Sequence, residues 1–370
     1  MLTEPCAVER ILPIPAQAGA TIRMPGTFAL RPGTGVRCDG GTAELTRGTR
    51  RTRLALGDRP SPALRRFLDG EPLAPDGHGV AFEALCRTLL LNGMASEPGM
   101  PAHAGWTASH GDPPGPNLVA LIADLRDEVR PGSAPGFALQ RSIIAGDCPP
   151  PLLAAWFLEN YHYVRSAPHH CSPVLDHEMP ATQRDLWRRF LFEESWHWRI
   201  FRPMFSAFGW PWDEHRSDTP GAGTRELTEV LAAAARTSPV VYGATLLLTE
   251  QVPKTKDVRT DPLYRGALTL GVPERVLRPL WWHAWSQCPT AHRTLGAMII
   301  SQQDTVPAAE AAHAVAAFQA VYAAVGRWGP SIAEENRTAA RFTRRTGLPV
   351  PVVLEDRYGH APNRSRSARV

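Results

Sequence analysis

The sequence predicts a mainly α-helical protein, a helical bundle preceded by a small α+β module. Three observations carry that reading. Beyond about residue 115, eight stretches show helical character, with almost no strand signal among them. Before residue 95, short β-prone stretches alternate with glycine turns and then give way to two helical patterns. Between these regions, Ser96 to Pro116 is rich in Pro, Gly, Ala and His and has no hydrophobic period, which is a linker composition.

At 370 residues, with 43% hydrophobic and 21% charged side chains, the chain can bury a sizeable core, and a wholly disordered or fibrous protein is excluded. Its 36 prolines mark breaks between elements. Basic residues exceed acidic ones by only 40 to 36, and apart from Lys254 and Lys256 the basic side is arginine. That surplus does not imply nucleic acid. An acid near Met1 and the lack of a long apolar run lead us to expect a soluble, cytoplasmic protein. The six cysteines contain no C-x-x-C pair and read as reduced, mostly buried thiols.

The strand-like stretches are Thr27 to Leu30, Gly35 to Cys38 and Ala43 to Leu45. Helices follow at Ser61 to Leu68, stopped by Asp69-Gly70, and at Val80 to Leu91, stopped by Asn92-Gly93. This arrangement reads as a winged-helix-like domain over residues 1–95. A linker with one helix is expected over 96–134, the bundle over 135–330 and a partly disordered tail over 331–370. Expected helices span Asn117–Glu128, Pro149–Ser166, Thr182–Phe208, Thr224–Thr237, Val240–Glu250, Asp261–Leu270, Glu274–Met298 and Val306–Val325. Arg47, Arg50, Arg51 and Arg53 read as a solvated hairpin face, or as a surface attracting an acidic peptide.

The polar residues on apolar stripes carry the functional reading. Trp187, Phe190, Phe201, Met204 and Phe208 recur at helical spacing, and Glu194 and His197 continue their stripe. A core-facing carboxylate must be paired, protonated or bound to metal. Glu-x-x-His places an oxygen and a nitrogen donor on one helix face, as carboxylate metal sites in bundles require. Glu159 follows Leu152, Ala155 and Trp156 on another apolar face, with His162 one turn on as a hydrogen-bond partner or a further ligand, and Glu250 ends the apolar run from Val240. Arginine pairing would satisfy each carboxylate alone. Three together with a histidine read as a metal site, because charges this close repel without a cation. His283 and His292 would complete it if a bulge at Pro289 brings them, with Gln287, onto one face. Glu310 and His313 read as solvent-facing, and His169, His170 and His177 as solvated loop residues.

In order and separation, Leu158-Glu159-Asn160-Tyr161-His162, Phe192-Glu193-Glu194-Ser195-Trp196-His197, Leu248-Thr249-Glu250-Gln251-Val252-Pro253 and Trp282-His283 through His292 resemble the haem-oxygenase-like di-iron oxidases and oxygenases. These are relatives of the pyrroloquinoline quinone synthase C and thiaminase II folds, and the resemblance covers about residues 135–330. It implies a bundle holding Fe(II), two ions in the full pattern, with Glu159, Glu194, His197, Glu250, His283 and His292 as ligands. Gln287 stands where that family has an aspartate, which weakens the second site. The implied activity is O2-dependent oxidation of an amino acid, amino-acid-derived or peptide-borne substrate in natural-product biosynthesis. Alternatives are a metal-free quinone-synthase-like or thiaminase-like enzyme and a ligand-sensing regulatory protein. Pro62 to Gly70 and Leu85 to Gly93 resemble, more loosely, the peptide-binding domains related to pyrroloquinoline quinone protein D, which implies a precursor peptide as partner, although such a module can equally bind DNA or merely pack on its neighbour. A homodimer is compatible with this reading; neither a membrane nor nucleic acid is expected as a partner.

Overall fold

The computed structural model describes residues 27–39, 41–48, 50–55, 61–74, 80–98, 108–129, 137–210, 219–249, 257–290, 292–336, 342–343 and 349–350; side chains are not described at 80, 81, 83, 84, 284–290, 292, 293 and beyond 336. In the N-terminal module, β1 (Ala29–Leu30) is followed by β2 (Gly35–Asp39), β3 (Thr42–Arg47) and β4 (Arg50–Ala55). The last three form an antiparallel sheet with β3 central and Leu45 opposite both Val36 and Thr52. Ser61 caps α1 (Pro62–Leu68) by accepting from the Leu64 N–H at 3.2 Å, and Pro62 needs no amide partner at the helix start. After α2 (Val80–Leu91), β5 (Ala95–Ser96) returns to pair with β1. Phe28, Phe67 and Phe82 pack ring against ring beneath this sheet, with Leu45, Leu54, Leu89 and Leu90 around them.

The one helix expected within residues 96–134 is present and packs with the bundle. This helix, α3 (Gly115–Glu128), is buried from Gly115 to Leu125 and lies in the core. Then come α4 (Ala138–Ala145), which the sequence reading lacked, α5 (Pro150–Arg165), α6 (Ala167–Cys171) and α7 (Ala181–His197). The single helix expected over Thr182–Phe208 is broken. A tight turn, Trp198–Phe201, intervenes before α8 (Arg202–Ala207), because Pro203 has no N–H for an unbroken ladder and sits in the first turn of the new helix. Next are α9 (Ala222–Thr237), α10 (Pro239–Thr249) and α11 (Pro262–Thr269). Across the stretch expected as one helix, Glu274–Met298, the described residues are helical on both sides of residue 291, as α12 (Glu274–Thr290) and α13 (His292–Ser301); residue 291 lies outside them. The last, α14 (Ala308–Glu335), runs ten residues beyond the expected end. The tail contributes β6 (Phe342–Thr343), paired with β7 (Pro349–Val350); the rest of it lies outside the described residues.

Buried along its whole length from Val240 to Leu248, α10 is the axis of the bundle, with α13 and α14 against it. By length and composition α14 could cross a membrane, but its stripe of Ala311, Ala314, Phe318, Val321, Ala324, Trp328 and Ile332 is spent on the core. The α10–α13 crossing depends on two glycines. A Cβ at Gly296 would overlap the Gly243 carbonyl, which backbone cannot yield. Gly296→Ala is expected to cost about 2–3 kcal/mol in urea unfolding. Gly326→Ala, where a Cβ meets nothing within 4 Å, should instead stabilise by about 0.5–1 kcal/mol.

The arginine face reading is corrected in half. Arg51 and Arg53 do lie outside, paired with Glu44. Arg47 and Arg50 turn inward to α3: Arg47 and Arg50 reach Asp124 at 2.9 and 2.7 Å, and Arg50 also reaches Asp127 at 2.7 Å. Buried Arg31 joins them at 2.8 Å from Asp124 and donates to the Ala120 carbonyl. The charge of Arg47 and Arg50 thus fastens the module to the bundle.

Candidate functional site

On α7, Trp187, Phe190 and Glu194 are buried at spacings of three and four, so the apolar stripe carries the carboxylate inward as expected. One turn on, His197 places Nδ1 at 2.9 Å from Glu194 Oε1. Its ring meets that of His283 on α12, with centroids 3.9 Å apart and planes at 62°. His197 thus meets both Glu194 on its own helix and His283 on α12. The opposite face of α7 shows Phe192 and Trp196 to solvent, and the Arg199 guanidinium lies 4.1 Å from the Trp196 ring. Among the described residues, no three His, Cys, Asp or Glu side chains are drawn together as a formed metal centre.

Glu159 is inward too, 1% exposed on α5, and its Oε2 is engaged by the start of another helix. That oxygen accepts from the Gly221 N–H at 3.0 Å and from the Thr224 hydroxyl, whose oxygen in turn accepts from Trp328 Nε1 at 2.7 Å. Gly221 and Thr224 are the cap and first turn of α9, so the carboxylate satisfies free amides at the positive end of a helix. His162 is buried beside the Tyr161 ring. His313 is exposed, as expected. Glu250 lies outside the described residues; His292 starts α13, and its side chain and that of Gln287 lie outside them as well.

The loop reading of three histidines is corrected at His170. Residues Ala167–Cys171 form a helix, and while His169 is exposed and meets Glu229, His170 is buried. Its Nδ1 lies 2.8 Å from the Tyr242 hydroxyl, which is 2.9 Å from Cys171 Sγ. Tyr163 stacks on the imidazole, and Trp187 packs on the Tyr242 ring at 5.5 Å. Burial pulls the His170 pKa down to about 4, with the Glu194 charge opposing it and His169 adding to it. A folded value of about 4 below an unfolded value of about 6.5 means that only the unfolded chain takes the proton in between. Stability should therefore fall as pH drops from about 6.5 to 4, by roughly 3 kcal/mol at most from this group. Urea midpoints across that range should show the slope in the wild type and a flatter one in His170→Gln.

No family model matches this sequence, and no curated protein matches it. A solved structure described as a domain of unknown function with a haem oxygenase-like fold, from Shewanella denitrificans OS217, is similar at 17% identity and a TM-score of 0.47, over 58% of this chain and 90% of that one.

Proposed function

We propose that the bundle is a haem-oxygenase-like, non-haem iron oxidase or oxygenase that uses dioxygen on an amino acid, amino-acid-derived or peptide-borne substrate. The observation that supports it is the grouping of Glu194, His197 and His283. One carboxylate and two imidazoles are a donor set suited to Fe(II), so the residues fit the metal in kind. Iron, when bound, would supply electron transfer to dioxygen. The chain's own part is to hold the donors. Glu194 accepts from the His197 Nδ1–H, which leaves the lone pair on Nε2, and the apolar stripe of α7 carries the carboxylate into the core. Glu159, Glu250 and His292 are the remaining ligands for a second iron, and Glu159 would join with an oxygen not already committed to α9. For a peptide-borne substrate, the exposed edge strand β2 is the surface a precursor could extend by one strand.

The test is iron analysis after anaerobic reconstitution with Fe(II) and desalting. Wild type should retain iron, and Glu194→Ala and His197→Ala should lose most of it at unchanged far-UV helicity. No iron above background in the wild type, with Glu194→Ala indistinguishable from it, would overturn the reading. The Glu194–His197 hydrogen bond also favours one alternative, a metal-free enzyme in which this pair shuttles protons. That alternative requires turnover in the presence of chelator.

A further inference from the structure

We propose that Tyr242, His170 and Cys171 form a one-electron redox site, in which Tyr242 loses an electron while its phenolic proton moves to His170 Nδ1. Nothing in the iron reading requires it, and it stands whatever the Glu194 group binds. The three side chains are 0%, 6% and 3% exposed, so bulk water does not serve as their proton acceptor. A phenol that loses an electron becomes a strong acid, and oxidation is easy only where a base already sits on the hydroxyl. His170 Nδ1 is that base at 2.8 Å. Because burial keeps the imidazole neutral at pH 7, one ring nitrogen is free to accept.

The direction of the hydrogen bonds follows from donor and acceptor strength. A bare imidazole nitrogen is a better acceptor than a thiol sulfur, so the phenol donates to His170 and Cys171 donates its S–H to the phenol oxygen. Cys171 is thus a positioning residue that aims the phenolic proton. Two other tyrosines are held differently: the Tyr161 oxygen accepts from the Arg165 cation, and Tyr322 donates to the Val129 carbonyl, which cannot hold a proton. Trp187 in van der Waals range of Tyr242, on the stripe that leads to Glu194, supplies a route for the electron. The step balances as phenol plus imidazole giving phenoxyl radical, imidazolium and one electron. The electron goes to an outer-sphere one-electron oxidant, such as a photogenerated ruthenium(III) polypyridyl complex.

The experiment illuminates the full-length protein with that complex and an irreversible acceptor, freezes it and records electron paramagnetic resonance. Ring-deuterated tyrosine should narrow the signal and show a neutral tyrosyl radical, with an exchangeable proton hydrogen-bonded to it. Tyr242→Phe should remove most of that signal, and His170→Phe should remove it as well although the phenol remains. Cys171→Ala should retain it. A wild-type signal that is tryptophan alone overturns the proposal without any variant having to fold. So does a tyrosyl signal undiminished in Tyr242→Phe or in His170→Phe, each checked for a native thermal transition.

Discussion

Asp124→Ala is expected to be the most damaging single change in the N-terminal half, costing about 3–5 kcal/mol, because it leaves buried arginines without their carboxylate. Asp124 is 7% exposed and Arg31 2% exposed, and Arg31, Arg47 and Arg50 all meet the one acid within 3 Å. Burial alone would raise the Asp124 pKa, yet hydrogen bonds from Arg47 and Arg50 and the charge of Arg31 hold it below the usual carboxylate range. Arg31 moves the other way in energy. Loss of water pulls its pKa down to about 10 against the pull of Asp124, so its charge is tolerated rather than favoured. The net benefit therefore rests on the carboxylate. With its folded pKa depressed, Asp124 stabilises the fold above its unfolded value of about 4, and that contribution is lost as pH falls through the folded value. Asp124→Asn should remove this acid limb from the unfolding curve. Since Leu91 of α2 is also part of the bundle core, the loss should appear as one cooperative transition shifted downward. A variant in which a first transition separates, leaving the bundle's own midpoint unmoved, would show that the module is only tethered.

Much of the fold was legible because the pattern that forms an element also buries it. Glu194 sits where Trp187 and Phe190 require an inward position, and the structure buries it there. Asp124 carries a similar signal: an acid inside Leu118 to Leu125, a run with no polar face to hold it. Its partners were legible too, since strand alternation puts Arg50 with Thr52 and Leu54 on one face and Arg51 with Arg53 on the other. His170 was not legible. A five-residue helix shows no periodicity, and its partner Tyr242 lies 72 residues away, so only the tertiary packing of α6 on α10's neighbours reveals the cluster. The break near Pro203 was signalled by proline, but whether such a residue kinks, bulges or ends a helix is set by what packs around it.

Glu159→Ala is expected to destabilise the protein by about 2–4 kcal/mol even with chelator present throughout. What the carboxylate does without metal sets the sign. Its Oε2 is the partner of the Gly221 N–H and the Thr224 hydroxyl, and removing it leaves two donors unsatisfied in a buried place, at about 1–3 kcal/mol each before relaxation. Thr224 also holds Trp328 Nε1, so α9 would loosen from α14 as well as from α5. Glu159→Gln keeps an acceptor oxygen but loses the charge at a helix N-terminus, and should cost about 1 kcal/mol. A carboxylate kept only to bind a cation behaves in the opposite way. In the metal-free protein its removal relieves repulsion among like charges, and stability should hold or rise. Thermal midpoints of wild type, Glu159→Ala and Glu159→Gln in chelator decide between these signs. If Glu159→Ala melts at or above the wild type, its bond to α9 carries no stability and Glu159 belongs wholly to the metal set. If it melts well below while iron retention in Glu159→Gln is unchanged, the iron reading rests on Glu194, His197 and His283, and Glu159 is the residue that fixes where α9 begins.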